Sequence, residues 1–264
     1  GFGIDCSFIS RNFKQADYVE RQSGLCELAL HNFPLLGLGH IRIHNRDGVS
    51  YLQEMLPVDC LFLDPARRDG HGGKTVAISD CEPDVTVLEP LLVDKAKKVM
   101  VKLSPMLDLS LALNELKTVR AVHIVAVNNE CKELLLILQK ESVSSEVSIH
   151  CEHIAGNGES RHYTFTLKRE KTSPCLLADE VGTYLYEPNA AILKAGAFRS
   201  LTQTYPVAKL HLNSHLYTSV SLVPDFPGRR FRVEAVSGFG KKELKAFLMD
   251  MDKANITIRN FPLS

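Results

Sequence analysis

The first two thirds of the chain alternates short apolar segments, typical of buried strands, with segments of helical spacing. Strands are predicted at residues 17–20, 40–44, 59–63, 98–103 and 122–127. Helices are predicted at residues 22–32, 48–56, 91–96 and 109–116, while residues 130–138 suit either a helix or a strand. Strands that alternate with helices predict an α/β domain, with a mostly parallel sheet covered by helices on both faces.

The pattern changes near residue 168. Segments 148–154 and 161–167 are predicted to pair antiparallel around the turn Gly156-Asn157-Gly158 and so to close the sheet. Beyond them we predict a helix at 190–197, strands at 216–223 and 231–236 around a turn at 224–229, an amphipathic helix at 241–251 and a strand at 256–258. The chain is therefore predicted to contain an α/β domain at 1–168, a small α+β accessory domain at 169–222 and a further segment at 223–264.

Carboxylates stand at or just after the ends of three predicted strands, at Glu20, Asp47 and Asp64. Ligands of open α/β sheets bind beyond the carboxyl ends of the strands, so these residues suit a ligand site. The chain opens with Gly1-Phe2-Gly3-Ile4-Asp5, a turn whose glycines allow the backbone to come close to a ligand. Glu20 follows at a spacing that suits a ribose diol. A surface pair of Glu20 with Arg21, and a helix-capping role for Asp47, are the structural alternatives.

The segment Asp64-Pro65-Ala66-Arg67-Arg68 ends a buried strand with a carboxylate, a proline and two guanidinium groups. Pro65 fixes the backbone after Asp64, so the carboxylate is expected to face a cleft rather than the strand ladder. An Asp–Arg ion pair that closes the loop is the structural alternative. The following loop, residues 69–75, is not a phosphate loop, because Arg68 stands where that motif requires glycine, and it is expected to lie over the site.

Lys102 ends the next predicted strand at the same edge of the sheet. Three placements of the Lys102 side chain fit the sequence: it points into the cleft, it caps a carbonyl group, or it pairs with Asp108. A glycine turn of this kind normally follows a strand, so a strand is expected upstream of Gly1 and the sheet is expected to lack its first strand here. Residues 262–264 resemble the approach to a further helix.

Composition narrows the class of protein. The 264 residues are 45% hydrophobic and carry no net charge, which gives no overall electrostatic attraction to nucleic acid. Residues 194–245, with nine basic and three acidic side chains, form either a phosphate-binding face or a solvated surface. The seven cysteines contain no CxxC pair, so we expect free thiols in a cytoplasmic protein and no metal. No apolar run is long enough to span a bilayer.

The glycine turn, the three strand-end carboxylates and the Asp64-Pro65 pair resemble class I S-adenosylmethionine-dependent methyltransferases. The form Leu-Asp-Pro-Ala-Arg-Arg, with Lys-Leu-Ser-Pro on the next strand, is similar to a bacterial subgroup that carries a THUMP-like C-terminal domain. The resemblance implies a Rossmann-like methyltransferase domain, a ferredoxin-like accessory domain at 169–222 and a THUMP-like segment at 223–264. It also implies the cofactor S-adenosylmethionine and an RNA partner.

Residue roles follow from the same resemblance. Cofactor binding is implied for Gly1 and Gly3 at the methionine moiety, Asp5 as support of that turn, Glu20 at the ribose, Asp47 at the adenine and Asp64 at the cofactor edge. Catalytic roles are implied for Asp64 and Pro65, which would face the methyl acceptor, and for Arg67, Arg68 and Lys102. Ala66 and Arg67 replace the second proline and the aromatic residue of amine-methylating relatives, which argues against an exocyclic amine as the acceptor.

Three other classes of protein stay open. One is an RNA-binding module on a methyltransferase fold without turnover, and another is a small-molecule methyltransferase. The third is a nicotinamide oxidoreductase, which is disfavoured because Cys6 stands where the third glycine of that fingerprint would be. An RNA methyltransferase is the leading interpretation.

Overall fold

The structure is a computed structural model that describes residues 1–67, 77–140, 146–238 and 240–248, and of Arg67 it describes the backbone alone. Arg68, the whole predicted loop at 69–75 and the predicted strand at 256–258 lie outside these residues. The predicted fold class is confirmed: the chain is a mixed α/β protein with smaller accessory parts.

The N-terminal unit is a small α/β layer with its own core. It comprises α1 (Ile4–Ile9), a 3-10 turn (Ser10–Asn12), β1 (Ala16–Glu20), α2 (Ser23–Leu35) and β2 (Ile41–Asn45). β1 and β2 pair in parallel and form a two-stranded sheet of their own. Tyr18 and Phe33 meet edge-on in its apolar core, with ring centroids 5.4 Å apart. The strands and the helix predicted in this region are confirmed.

A polar network covers the outside of this unit. Asp17 of β1 accepts hydrogen bonds from Arg42 at 2.7 and 3.0 Å and from the Tyr51 hydroxyl at 3.1 Å, and its carboxylate lies 3.2 Å from His44 Nε2. Burial alone would raise the pKa of Asp17, but these hydrogen bonds outweigh it and the pKa is lowered.

The main sheet has six strands. Its elements are α3 (Gly48–Glu54), β3 (Val58–Leu63), the short strands β4 (Ala66–Arg67) and β5 (Cys81–Glu82), α4 (Val85–Lys95), β6 (Ala96–Leu103), α5 (Leu109–Glu115), β7 (Val119–Val127), β8 (Glu130–Leu138), β9 (Ser148–Ile154) and β10 (Ser160–Thr166). The strand order is β10-β9-β7-β8-β6-β3. β3 is parallel to β6 and β7 is parallel to β9, whereas β8 runs antiparallel to both of its neighbours. The predicted closing hairpin is β9–β10.

Residues 130–138, which suited a helix or a strand, form strand β8. Leu134, Leu136 and Leu138 are fully buried, and the residues between them face the other side of the sheet. This period of two fits a strand with one face in the core.

Capping side chains fix the starts of several helices. Asp47, Asp84 and Asp108 precede α3, α4 and α5, and each accepts a hydrogen bond from a backbone N–H in the first turn. These contacts satisfy donors that a helix leaves unpaired at its N-terminus.

The accessory region begins with α6 (Leu167–Thr172). It continues through β11 (Tyr184–Pro188), α7 (Ala190–Ala195), α8 (Ser200–Thr204), β12 (Ala208–Lys209), β13 (Tyr217–Ser219), β14 (Gly228–Arg232) and α9 (Lys241–Leu248). The sheet order is β12-β13-β11-β14, with antiparallel neighbours.

Two predicted strands in this region have different bounds: the strand expected at 216–223 is confined to β13, and the strand expected at 231–236 begins earlier, at Gly228. Strand β11 was not predicted. A side chain at Gly228 would place its Cβ 2.1 Å from the carbonyl oxygen of Glu187. This glycine therefore permits close strand pairing, although in the sequence it resembles a turn residue.

The accessory region and the main sheet share one hydrophobic core. Tyr186, Ile192 and Phe226 are fully buried in the same cluster as Val122 and Ile124 of β7. α7 packs against β7, β8 and β9, so the two regions are joined by apolar packing. Within the described ranges, no helix is both long and apolar enough to cross a membrane.

Candidate functional site

The candidate site is centred on Lys102, at the end of β6. Its ammonium lies 2.9 Å from Asp64 Oδ2, just after β3, and 2.8 Å from Asp5 Oδ2 in α1. The Lys102 side chain is 19% exposed, whereas the two carboxylates are about half exposed. Lys102 therefore connects the N-terminal unit to the main sheet and holds two carboxylates at its edge. Asp108 instead caps α5, so the alternative pairing of Lys102 with Asp108 is not formed.

The electrostatics of this cluster favour a charged lysine in a negative environment. Burial alone would lower the pKa of Lys102, but the hydrogen bonds to Asp5 and Asp64 raise it well above its usual value. Lys102 thus stays protonated at neutral pH and positions its partners. The pKa of Glu133 on β8 is raised, mainly by burial. The positive charge of Lys102 lowers this pKa, whereas the negative charges of Asp64 and Asp5 raise it further. The carboxylates of Asp5 and Asp64 therefore contact the ammonium of Lys102, and Glu133 interacts with all three electrostatically.

A cavity of about 270 Å³ opens beside this cluster. Its polar lining includes Asp64, Lys102, Lys132 and Glu133, and Pro65 forms part of its wall. A larger cavity of about 470 Å³ lies in the accessory region, but no ionisable residue lines it. The smaller cavity is the better candidate for chemistry because charged groups converge there.

The glycine turn is packed tightly against the N-terminal unit. Gly3 has a φ of 74°, in the left-handed region, and its carbonyl accepts the Ser7 N–H at 2.8 Å. A Cβ at Gly3 would lie 2.7 Å from Phe33 Cζ and 3.3 Å from Tyr18 Cε2. Gly1 has no such crowding, and its carbonyl accepts a hydrogen bond from the Tyr18 hydroxyl. The structure therefore explains a glycine at position 3 by packing, but not at position 1.

Glu20 lies at the carboxyl end of β1. Its carboxylate accepts the Gln22 N–H at 2.8 Å. The surface pair of Glu20 with Arg21, the structural alternative to a ligand contact, is not formed. Arg21 instead approaches Glu82, at 3.7 Å.

Asp47 is exposed at the end of β2, where it caps α3. Its Oδ2 accepts the backbone N–H of Ser50 at 2.9 Å and the Ser50 hydroxyl at 3.0 Å. These two hydrogen bonds lower its pKa. The capping interpretation is confirmed, while a contact with adenine stays a prediction.

The backbone after Asp64 turns away into a short antiparallel pair. Ala66 and Arg67 in β4 face Glu82 and Cys81 in β5. The structure thus brings together Asp5, Asp64, Pro65 and Lys102, and places Gly3 at the start of the helix that carries Asp5. The catalytic roles of Arg67 and Arg68 stay predictions, because their side chains are outside the described part of the chain.

The basic region 194–245 is not a uniform cationic face. Lys209 is only 4% exposed and Lys194 donates to the carbonyl of Leu107 at 2.6 Å. Exposed arginines remain on the edge strand β14, and exposed lysines on α9.

Residues that sequence reasoning missed lie on the alternate positions of strands. Glu133 joins the Lys102 cluster, and His123, His150 and Glu152 gather on another part of the sheet. Burial and the neighbouring His150 lower the pKa of His123, so its imidazole is mostly neutral at neutral pH. The alternation of Ser148, His150 and Glu152 along β9 was the available signal. It identifies partners on another strand only when the strand order is known.

Comparisons with known proteins agree with this architecture. A family profile described as a ferredoxin-like domain matches residues 184–227, and one described as THUMP domain-like matches residues 228–264. These two kinds of domain were predicted, and the predicted boundaries at 169 and 223 stay predictions. A comparison with curated proteins gave no match.

Among solved structures, the chain is similar to that of a "putative methyltransferase" from Porphyromonas gingivalis W83. The two are 35% identical with a TM-score of 0.88, and the match covers 100% of this chain and 66% of that one. The chain therefore has the methyltransferase-type α/β fold of that structure, with ferredoxin-like and THUMP-like parts.

A second structure is a modification subunit of a "putative type I restriction enzyme" from Vibrio vulnificus YJ016. It is 10% identical over 63% of this chain and 46% of that one. Its TM-score of 0.38 is too low to indicate a shared fold.

Proposed function

We propose that the chain is the catalytic part of an S-adenosylmethionine-dependent methyltransferase that acts on a base in RNA, of the class I subgroup described above. The observation that carries this proposal is the Asp5–Lys102–Asp64 cluster at the strand ends. It occupies the edge where α/β sheets bind ligands, in a chain similar over its whole length to a methyltransferase-type structure.

The residues at this edge fit the cofactor. Two ammonium groups lie at this edge, and both are paired: Lys102 with Asp5 and Asp64, and Lys132 with Glu130. With Glu133, the nearby carboxyl groups outnumber the ammonium groups, and a negative environment suits a sulfonium cation. Glu20 would hold the ribose hydroxyls at the end of β1, and Asp47 would contact the adenine side. The chemistry that such a cofactor supplies is an electrophilic methyl group.

The protein's own contribution would be positioning. Asp64 and Pro65 line the 270 Å³ cavity, where Asp64 would accept a hydrogen bond, and then the proton, from the methyl acceptor. Lys102 fixes the orientation of Asp64 through the 2.9 Å contact. Arg67 and Arg68 would contact the RNA backbone or stabilise negative charge that develops on the base.

RNA is the proposed substrate because of the accessory region. The THUMP-like match covers residues 228–264, and β14 presents Arg230 and Arg232, both exposed, at the edge of its sheet. Exposed guanidinium groups on an edge strand can contact phosphates.

The test is methyl transfer from tritiated S-adenosylmethionine to pooled tRNA and rRNA. Asp64→Asn should lower the rate about 100-fold or more, within the range expected for loss of a positioned proton acceptor. Asp59→Asn is the matched control, because Asp59 lies in β3, the strand that Asp64 directly follows, and forms a surface pair with Lys97, at 2.7 Å. Tritium transfer that is equal in Asp64→Asn and Asp59→Asn would contradict the proposed role of Asp64. Cofactor binding without transfer to any RNA pool would favour the non-catalytic or small-molecule alternative.

A further inference from the structure

One sheet face carries a second polar cluster on β7 and β9, which lie two and three strands away from β6. His123 of β7 lies directly opposite His150 of β9, and Glu152 follows His150 by two residues. Residues opposite each other in register, or two apart in one strand, project from the same face. The neighbouring positions Ile124 and Cys151 are buried in the core on the other face. The three polar side chains therefore share the face that points away from the core.

The three side chains are close enough to share one ion. Their potential ligand atoms all lie within 4.8 Å of one another, and His123 Nδ1 is 4.0 Å from Glu152 Oε1. Two ligands of a tetrahedral zinc ion, each at about 2.0–2.2 Å from the metal, lie about 3.4 Å apart. The His123–Glu152 pair thus needs to close by less than about 1 Å, and the stacked His123 and His150 rings need to rotate toward a common point.

Neighbouring groups already orient these potential ligands. His162 of β10 lies opposite Glu152 and contacts its Oε2, which leaves Oε1 on the side of His123. The two nitrogens of His150 contact the hydroxyls of Thr164, at 3.1 Å, and Ser148, at 3.0 Å. A histidine that binds metal usually has its other nitrogen hydrogen-bonded to an oxygen, and either hydroxyl can provide that contact.

The donor set selects the kind of metal. Two imidazoles and one carboxylate suit zinc and related transition metals, whereas magnesium and calcium prefer oxygen ligands alone. Side-chain exposures of 35% for His123 and 25% for Glu152 leave the cluster reachable from solvent.

We propose that His123, His150 and Glu152 form a zinc site, with water at the fourth position. The site is distinct from the methyl-transfer cluster: Lys102 and His123 both lie opposite Leu135, so two strand spacings, about 10 Å, separate them. The proposal therefore does not depend on the proposed function. It also replaces the expectation, based on the cysteine pattern, that the chain binds no metal.

The test is a zinc titration of the metal-stripped chain in competition with a chromophoric chelator, repeated with cobalt(II) to observe its visible spectrum. The expected result is one equivalent of zinc with a dissociation constant of micromolar or below, and cobalt bands typical of four-coordination. His123→Gln and Glu152→Gln should each weaken zinc binding about 100-fold or more. His150→Gln is a further, independent loss variant.

His153→Gln is the matched control. His153 lies in the same strand, next to Glu152 but on the opposite face, where it accepts the Asn129 N–H at 3.1 Å. Its substitution should leave zinc affinity unchanged. Circular dichroism of each variant checks that it is folded. Absence of saturable binding, or equal affinity in folded His123→Gln, His150→Gln and His153→Gln, would overturn the proposal and leave a histidine stack beside an ion pair.

Discussion

Gly3→Ala is predicted to destabilise the N-terminal unit by two separate effects. A non-glycine residue at a φ of 74° costs about 1–2 kcal/mol. The new Cβ would also lie 2.7 Å from Phe33 Cζ, and the ring cannot move freely because it is 3% exposed and packed edge-on against Tyr18. Overpacking of this kind costs about 1–3 kcal/mol, so we expect a total loss of about 2–5 kcal/mol.

Gly37→Ala separates the two effects. Gly37 has a nearly identical φ of 72°, but a Cβ there would meet no atom within 4 Å. Urea unfolding, followed by circular dichroism, should show a loss of about 1–2 kcal/mol for Gly37→Ala and a larger loss for Gly3→Ala. Phe33→Leu should reduce the cost of Gly3→Ala when the two are combined. Equal losses for the two glycine variants would refute the argument that packing requires Gly3.

Three further predictions concern charges. Lys102→Met removes two ion pairs with half-exposed carboxylates and should lower the free energy of unfolding by about 1–2 kcal/mol in urea titrations, while Lys97→Met, at an exposed pair, should change little. The pKa of Asp17 is lower in the folded chain than in the unfolded chain, so the ionised Asp17 stabilises the fold, by about 0.5–1 kcal/mol after solvent screening. This stabilisation is present above the unfolded pKa, near 3.9, and is lost as the pH falls through the folded pKa. The stability difference between the wild-type chain and Asp17→Asn should therefore shrink below about pH 4, and a difference that grows in acid would contradict this sign. Arg67→Ala and Arg68→Ala should weaken RNA methylation with cofactor affinity nearly unchanged, and a large loss of cofactor binding in calorimetry would make them structural.

The local pattern of the sequence predicted most elements of the α/β region, because buried strands and amphipathic helices leave periodic apolar positions. It could not assign residues 130–138, since a continuous apolar segment fits either period until its neighbours are known. The structure resolves this by pairing β8 between β6 and β7. In the accessory region the strand bounds were missed, because Gly228 serves close strand pairing and not a turn.

Part of the candidate site was also predictable from the local sequence. Asp64 and Lys102 end neighbouring parallel strands, so sequence order alone brings them to one edge. The contact of Lys102 with Asp5, 97 residues away, depends on how the N-terminal unit packs. The His123–His150 pair depends on β7 and β9 becoming neighbours although β8 lies between them in sequence. Long-range pairing of this kind leaves no local signal.

The most direct test of the central claim is a calorimetric titration of S-adenosylhomocysteine into the wild-type chain, Glu20→Gln and Glu27→Gln. Glu27 is exposed on α2 and serves as the matched control. A methyltransferase site predicts saturable binding that Glu20→Gln weakens about 10- to 100-fold, as expected for lost hydrogen bonds to a charged group, and that Glu27→Gln leaves unchanged. No binding to the wild-type chain, or equal binding by Glu20→Gln, would contradict the account.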